Sequence, residues 1–130
     1  MMTLVRWFIF FLLLFPSAGD AKTLQGRVVK VFDGDTLLVR LQNREEYVRL
    51  REIDAPEIAT RKQAGQEPWG KKAREFFLSK VRNKTVRLEV EQREERDKYQ
   101  RLLAYVFVGD LFLNQEMVRS GNAFFYPGPF

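Results

Sequence analysis

Two short acidic clusters and two arginines carry the chemistry open to this sequence. In VFDGDTLLV (31–39) a hydrophobic run is cut by Asp33-Gly34-Asp35 and then resumes, and in IDAPE (53–57) Asp54 and Glu57 flank Ala55-Pro56. Asp-Gly is common turn chemistry, which accounts for Asp33 as the turn residue itself. Asp35 is read as following the turn, where a strand begins. Taken singly, each cluster reads as a solvated loop. Taken together, they would set Asp35, Asp54 and Glu57 at neighbouring strand ends and supply the hard oxygen ligands a divalent cation needs. Arg49 precedes Asp54 on a strand that otherwise faces a core, and Arg101 lies between a charged loop and an apolar strand. Most arginines in a chain this rich in them are surface charges. A guanidinium is also suited to bidentate phosphate binding, and carboxylates beside arginines suggest phosphodiester hydrolysis.

Composition narrows the alternatives. The 130 residues include no cysteine and no histidine. Disulfides, thiolate zinc sites, triads with a histidine base and most transition-metal sites are thereby excluded. A metal here must be held by oxygens, which favours calcium, magnesium or manganese. The length suits one domain, and 45% hydrophobic residues with 12 phenylalanines suffice for a core. The opening stretch MMTLVRWFIFFLLLFPSAGDA has Arg6 ahead of an apolar run from Trp7 to Phe15, then small or helix-breaking residues. That run is shorter than the ~20 residues of a membrane span. Residues 1–21 read as a secretory signal peptide, with an uncleaved membrane anchor as the rival, and 22–130 as the domain. The net charge of +5 is unchanged by removing Arg6 and Asp20. A basic secreted domain suits an anionic partner such as nucleic acid or a membrane surface.

The elements that must position these residues follow from periodicity. LQGRVVKVF (24–32) predicts a strand, Asp33-Gly34 a hairpin turn, and TLLVRL (36–41) a second strand. In EYVRLREI (46–53) Val48 and Leu50 alternate with Arg49 and Arg51, a third strand that Pro56 stops. Ala73, Phe76, Phe77 and Val81 fall at helical spacing within 68–83. TVRLEVEQ (85–92) alternates with period two, REERDKYQ (93–100) is a charged loop, and LLAYVFV (102–108) is an apolar strand. Gly109-Asp110 turn the chain into a short strand, and a last helix runs from about 114 to 120, stopping at Gly121. Five or so strands, with a helix between the third and fourth, fit an α+β fold built on a five-stranded OB-type barrel.

The motifs VFDGDTLLV, VRLREIDAPE, EPWGKKAREF, DKYQRLLAYVFV and NQEMVRSGNAFFY run in order across residues 24–126. In them the chain resembles the staphylococcal-nuclease-like (thermonuclease) family. The resemblance implies an OB-fold barrel with packed helices, and a calcium-dependent nuclease with DNA and RNA as substrates and no stable protein partner, hence a monomer. By position it makes Asp35 and Asp54 calcium carboxylates and the Ala55 carbonyl a further ligand. Glu57 becomes the acid beside the attacking water, proposed as general base. Arg49 and Arg101 become phosphate-binding arginines, and Lys98 and Tyr99 a nucleotide-contacting pair. Three departures stand out. Ala55 replaces a frequent threonine. Gln100 replaces a glycine, at a cost if that backbone is left-handed. After Tyr126 only PGPF follows, where the family continues into a further helix, so an uncovered core face near the last helix is expected. A non-catalytic nucleic-acid-binding OB module is the alternative, but it has no need of Asp35, Arg49, Asp54, Glu57 and Arg101 together. A structural envelope protein would leave all five unexplained.

Overall fold

The computed structural model describes residues 21–130. The segment read as a signal peptide lies outside them, apart from Ala21. The elements are β1 (Ala21–Asp33), β2 (Thr36–Arg40), β3 (Glu45–Leu50), β4 (Ile53–Asp54), α1 (Trp69–Val81), β5 (Thr85–Glu91), β6 (Leu102–Val108), β7 (Leu111–Phe112), α2 (Leu113–Arg119) and β8 (Phe124–Phe125). The main sheet runs β3-β2-β1-β5-β6-β7, and β3 also pairs with β6. That last pairing is parallel, Val48 against Leu102 and Leu50 against Ala104. It closes β1, β2, β3, β6 and β5 into the expected five-stranded OB-type barrel, with two helices outside it.

Alternation explains the barrel wall. In β5 the side chains of Val86, Leu88 and Val90 are buried while Thr85 and Glu91 are exposed at its ends. Leu37, Val39, Val48, Leu50, Leu102 and Val106 join them inside. The stripe Gly70, Ala73, Phe77 and Val81 seats α1 on the barrel, with Phe76 half-buried at its edge. Leu113 and Met117 bury the inner face of α2.

The structure departs from the sequence reading in four places. First, β1 begins at Ala21 and pairs along the whole of β5, Ala21 against Glu91. Second, β3 ends at Leu50, because Glu52 takes a left-handed backbone (φ 63°) and turns the chain. Ile53–Asp54 becomes a separate strand paired with β8, Asp54 against Phe124. Third, the alternation in β3 does not send its arginines to solvent, since Arg49 and Arg51 are both buried. Arg51 is neutralised by Glu94 at 2.5 Å and Glu91 at 3.4 Å. Fourth, among the described residues the inner face of α2 is covered, and the open surface expected near the last helix lies beside it. Leu113 and Met117 have no exposed surface, and the Tyr126 amide donates to the Glu52 carbonyl at 2.7 Å. The apolar surface left open near α2 belongs to Trp69, Phe124 and Phe125. Among the described residues no helix is long and apolar enough to cross a membrane.

Candidate active site

The site begins at the β1–β2 hairpin, and here the roles of two aspartates change. Asp33 is the last residue of β1 and pairs with Thr36, so the two-residue turn is Gly34–Asp35 and Asp35 lies within it. The Asp33 carboxylate accepts the Asp35 amide at 2.9 Å, which closes the turn. Gly34 is demanded by space. A Cβ there would lie 2.8 Å from the Ala55 Cβ and 2.9 Å from the Ala73 Cβ, well inside contact distance. This close approach lets Asp35 meet the second acidic cluster. The Ala55 amide donates to Asp35 Oδ2 at 2.8 Å, and the Thr36 hydroxyl donates to Oδ1 at 2.8 Å.

Arg49 is no surface charge. It is 8% exposed and lies against both clusters, its Nη2 3.5 Å from Asp35 and 3.6 Å from Asp54. Its Nη1 donates to the carbonyls of Leu50 (2.6 Å) and Ile53 (2.7 Å). A buried cation is tolerable only when paired and hydrogen-bonded in this way. Glu57 is exposed, but its backbone is fixed. Its amide donates to Gln66 Oε1 (3.0 Å) and its carbonyl accepts the Gln66 amide (2.8 Å). Gly70, in the first turn of α1, packs so tightly on the Glu57 carbonyl that a Cβ would lie 2.3 Å from its oxygen.

These acids perturb one another. Burial, then the charge of Asp35 and a hydrogen bond to it, pushes the Asp33 carboxyl up to about 8. Asp54 is raised by partial burial and then by Asp35, against the pull of Arg49. Glu57 is raised by burial, then by Asp35 and Asp54, and is drawn back by Arg49 and Arg101. The five residues singled out from the sequence therefore act on one another within one site. Crowded carboxyls with raised pKa values form the environment that a hard divalent cation relieves. Among the described residues no three acids converge to enclose an ion. Asp35, Asp54 and the Ala55 carbonyl are hard oxygen donors of the type a divalent cation takes.

Arg101 is aimed by a residue the sequence reading passed over. Asp97, 5% exposed, accepts Arg101 Nε on Oδ2 at 2.7 Å. Its Oδ1 accepts the amides of Tyr99 (2.9 Å) and Arg101 (3.0 Å). Gln100 between them is left-handed (φ 67°), as its replacement of a glycine foreshadowed. Its amide bonds the Asp97 carbonyl, and its own carbonyl accepts Arg96 Nη1 at 2.8 Å. The Arg101 guanidinium lies 5.3 Å from the Tyr99 ring centre, and Lys98 Nζ 5.2 Å from it. Tyr99 is 67% exposed. Arg49, Asp97, Lys98, Tyr99, Arg101 and Tyr126 line one open cleft of about 320 Å³.

Asp97 and Tyr126 are residues of this site to which sequence reasoning gave no role, and Asp33 was read only as the turn residue. The signal for Asp97 was present in DKYQR, an acid four positions before an arginine in a loop. Tyr126 ends the stretch GNAFFY and carried no spacing signal.

Fold and cleft together define an OB-fold barrel of the staphylococcal nuclease type. Residues 47–128 match the family model described as staphylococcal nuclease homologue, and the chain belongs to that family. It is 38% identical over 113 residues to a thermonuclease of Staphylococcus intermedius, covering 85% of this chain and 66% of that protein. It is 34% identical over 111 residues to a thermonuclease of Staphylococcus hyicus, covering 84% and 64%. To an uncharacterized endonuclease of Haemophilus influenzae it is 43% identical over 101 residues, covering 77% and 51%. The chain thus spans between half and two thirds of the length of these curated relatives.

Proposed function

We propose that the chain is a secreted or cell-envelope endonuclease, monomeric and calcium-dependent, that hydrolyses phosphodiester bonds in DNA and RNA. One observation carries this reading: buried Arg49, set against Asp35 and Asp54, and loop-held Arg101 line the same open cleft. The thermonuclease and endonuclease relatives support it, and export rests on the leader-like segment of residues 1–21.

Asp35, Asp54 and the Ala55 carbonyl would hold the ion, which when bound polarises a non-bridging phosphate oxygen and helps orient water. Arg49 needs no reorganisation to act, because the Leu50 and Ile53 carbonyls already fix it. Arg101 is tied through Nε to Asp97 and only loosely through Nη1 to the Thr36 hydroxyl at 3.5 Å, so Nη2 is the nitrogen left for the phosphate. Both donors meet charge as it builds on the phosphoryl oxygens and the leaving group. Glu57, whose carboxyl is raised from its ordinary value by partial burial and then by Asp35, is a better proton acceptor than a free glutamate and takes the proton of the attacking water. Lys98 and Tyr99 hold the neighbouring nucleotide by charge and stacking.

The test is purified chain with supercoiled plasmid and with RNA, in calcium, in magnesium or with a calcium-selective chelator. Calcium is expected to support cleavage of both. Magnesium, which demands tighter octahedral geometry, should support little, and the chelator should abolish cleavage. Binding of both nucleic acids without cleavage in any buffer would make the chain a binding module instead. Full cleavage under chelator would remove calcium from the mechanism.

A further inference from the structure

A second groove shares no lining residue with the Tyr99 cleft. Its volume is about 340 Å³, and its walls include Lys30, Phe32, Ile58, Lys71, Arg74 and Glu75. It is contiguous with the site along the chain on two sides, since Phe32 immediately precedes Asp33 and Ile58 immediately follows Glu57. Three cations face one acid. Arg74 is half-buried and pinned, its Nε donating to the Val31 carbonyl at 3.0 Å, so its two terminal nitrogens are presented on a fixed stem. Neither Arg74 nor Lys30 has an ion-pair partner among the described residues. Lys71 has only Glu67 at 3.6 Å, an exposed pair of little strength. Beside the cations Phe32 stacks on Tyr47 (5.6 Å between ring centres), Lys30 Nζ lies 5.0 Å from the Phe32 ring centre, and Tyr47 is more than half exposed.

Surface lysines alone are usually solvated and bind nothing in particular. Here a pinned guanidinium, two further cations and an aromatic pair with one exposed ring meet in a groove whose walls adjoin Asp33 and Glu57 in the chain. Positive charge tracking a backbone beside aromatic platforms is the arrangement that grips single-stranded nucleic acid without regard to sequence. We infer that the polynucleotide runs on from the acid cluster into this groove, where Lys30, Lys71 and Arg74 hold its backbone phosphates and Phe32–Tyr47 offers a stacking face. The inference rests on the nuclease reading for its substrate. It makes the protein prefer long strands over minimal ones.

The experiment separates the two readings. Binding of a fluorescein-labelled 20-nucleotide oligothymidylate is followed by anisotropy across a salt series in chelator, and cleavage of the 20-mer and of a dinucleotide in calcium. The variants are the double substitution Lys30→Gln with Lys71→Gln, both at exposed positions that spare the fold, and Arg74→Ala. The control is Arg27→Gln with Lys84→Gln, exposed cations outside both grooves. The dependence of log affinity on log salt should become shallower by about 0.7 for each groove cation removed. Affinity for the 20-mer should fall roughly tenfold in the double variant at low salt, while dinucleotide cleavage stays unchanged. An unchanged salt slope, or an equal loss in the control, overturns the groove even if cleavage is robust. Loss of slope in a chain that cleaves nothing would uphold the groove and overturn the endonuclease.

Discussion

Replacing Asp97 with asparagine separates the aim of Arg101 from the stability of its loop. The native carboxylate accepts two backbone amides on one oxygen and Arg101 Nε on the other. Asparagine, with its amide oxygen towards the backbone, keeps the first two bonds and turns an NH₂ group against Nε, donor facing donor. The bond lost is charge-assisted, worth about 1.5–3 kcal/mol. The Arg101 side chain is 28% exposed, so water recovers part of that, and the stability cost should stay near ~1 kcal/mol. The chemical cost is larger. A displacement of ~1 Å can lower a rate ~10²-fold, and outright loss of such a donor costs ~10²–10³. Turnover of Asp97→Asn should therefore fall about 10- to 100-fold. Asp97→Ala should add a fall in melting temperature on the order of 10 °C, because two amides then lose their acceptor. Single-turnover cleavage of an end-labelled oligonucleotide and thermal unfolding by circular dichroism read the two effects. The decisive variant is Asp97→Asn with Arg101→Ala. If Asp97 acts through Arg101, the double variant is no slower than Arg101→Ala alone. Additive losses, or wild-type turnover in Asp97→Asn, would refute the reasoning.

Three further outcomes follow from the same geometry. Gln100→Gly relieves a left-handed residue and should stabilise the protein by about 1 kcal/mol, seen as a melting point several degrees higher; a lower one counts against the strain. Gly34→Ala forces a methyl group to within 2.8 Å of the Ala55 Cβ and should cost about 1–3 kcal/mol, read from denaturant unfolding, with weaker calcium affinity because Asp35 shifts too. The pH dependence has a definite sign. Asp33 moves from 3.8 to about 8 on folding, so its contribution is present below pH 3.8 and is lost as pH rises towards 8. Asp54 and Glu57, also raised, act in the same direction. Glu46, lowered first by its hydrogen bond to Arg96, opposes them, but only as pH falls below its ordinary 4.5. Calcium-free protein should melt higher at about pH 5 than at about pH 8.5, and calcium should raise the melting point more at the higher pH. A calcium-free melting point that climbs from pH 5 to 8.5 would contradict the crowding of these acids.

The sequence was most readable where one side chain decides one contact. Period-two runs such as Val86, Leu88 and Val90 declare a barrel strand, and Gly121, at φ 79°, stops α2 as expected. It was least readable where register decides. Whether Asp33 or Asp35 occupies the turn depends on Asp33 pairing with Thr36, which no local signal announces. The break in β3 rests on a left-handed glutamate, Glu52, with none of the glycine or asparagine that usually marks such a bend. Arg49 alternates as an outward residue, and its burial follows only from carboxylates delivered by the β1–β2 turn and by β4. For the site, the acids and arginines were visible as types, whereas Asp97 shows its role only through bonds across the loop it organises.

The parallel pairing of β3 with β6 has a consequence for when the molecule becomes active. Asp35, Arg49, Asp54 and Glu57 all precede α1 in the chain, while Arg101 arrives at the mouth of β6. Parallel neighbours need a long crossover, here one that carries α1 and β5, and contacts so distant in sequence form late in folding. A chain with its first hairpins made but its barrel still open would own Asp35, Asp54 and Glu57 and only half of its phosphate clamp. Closure of that one strand pair therefore completes the clamp only once the whole barrel is built.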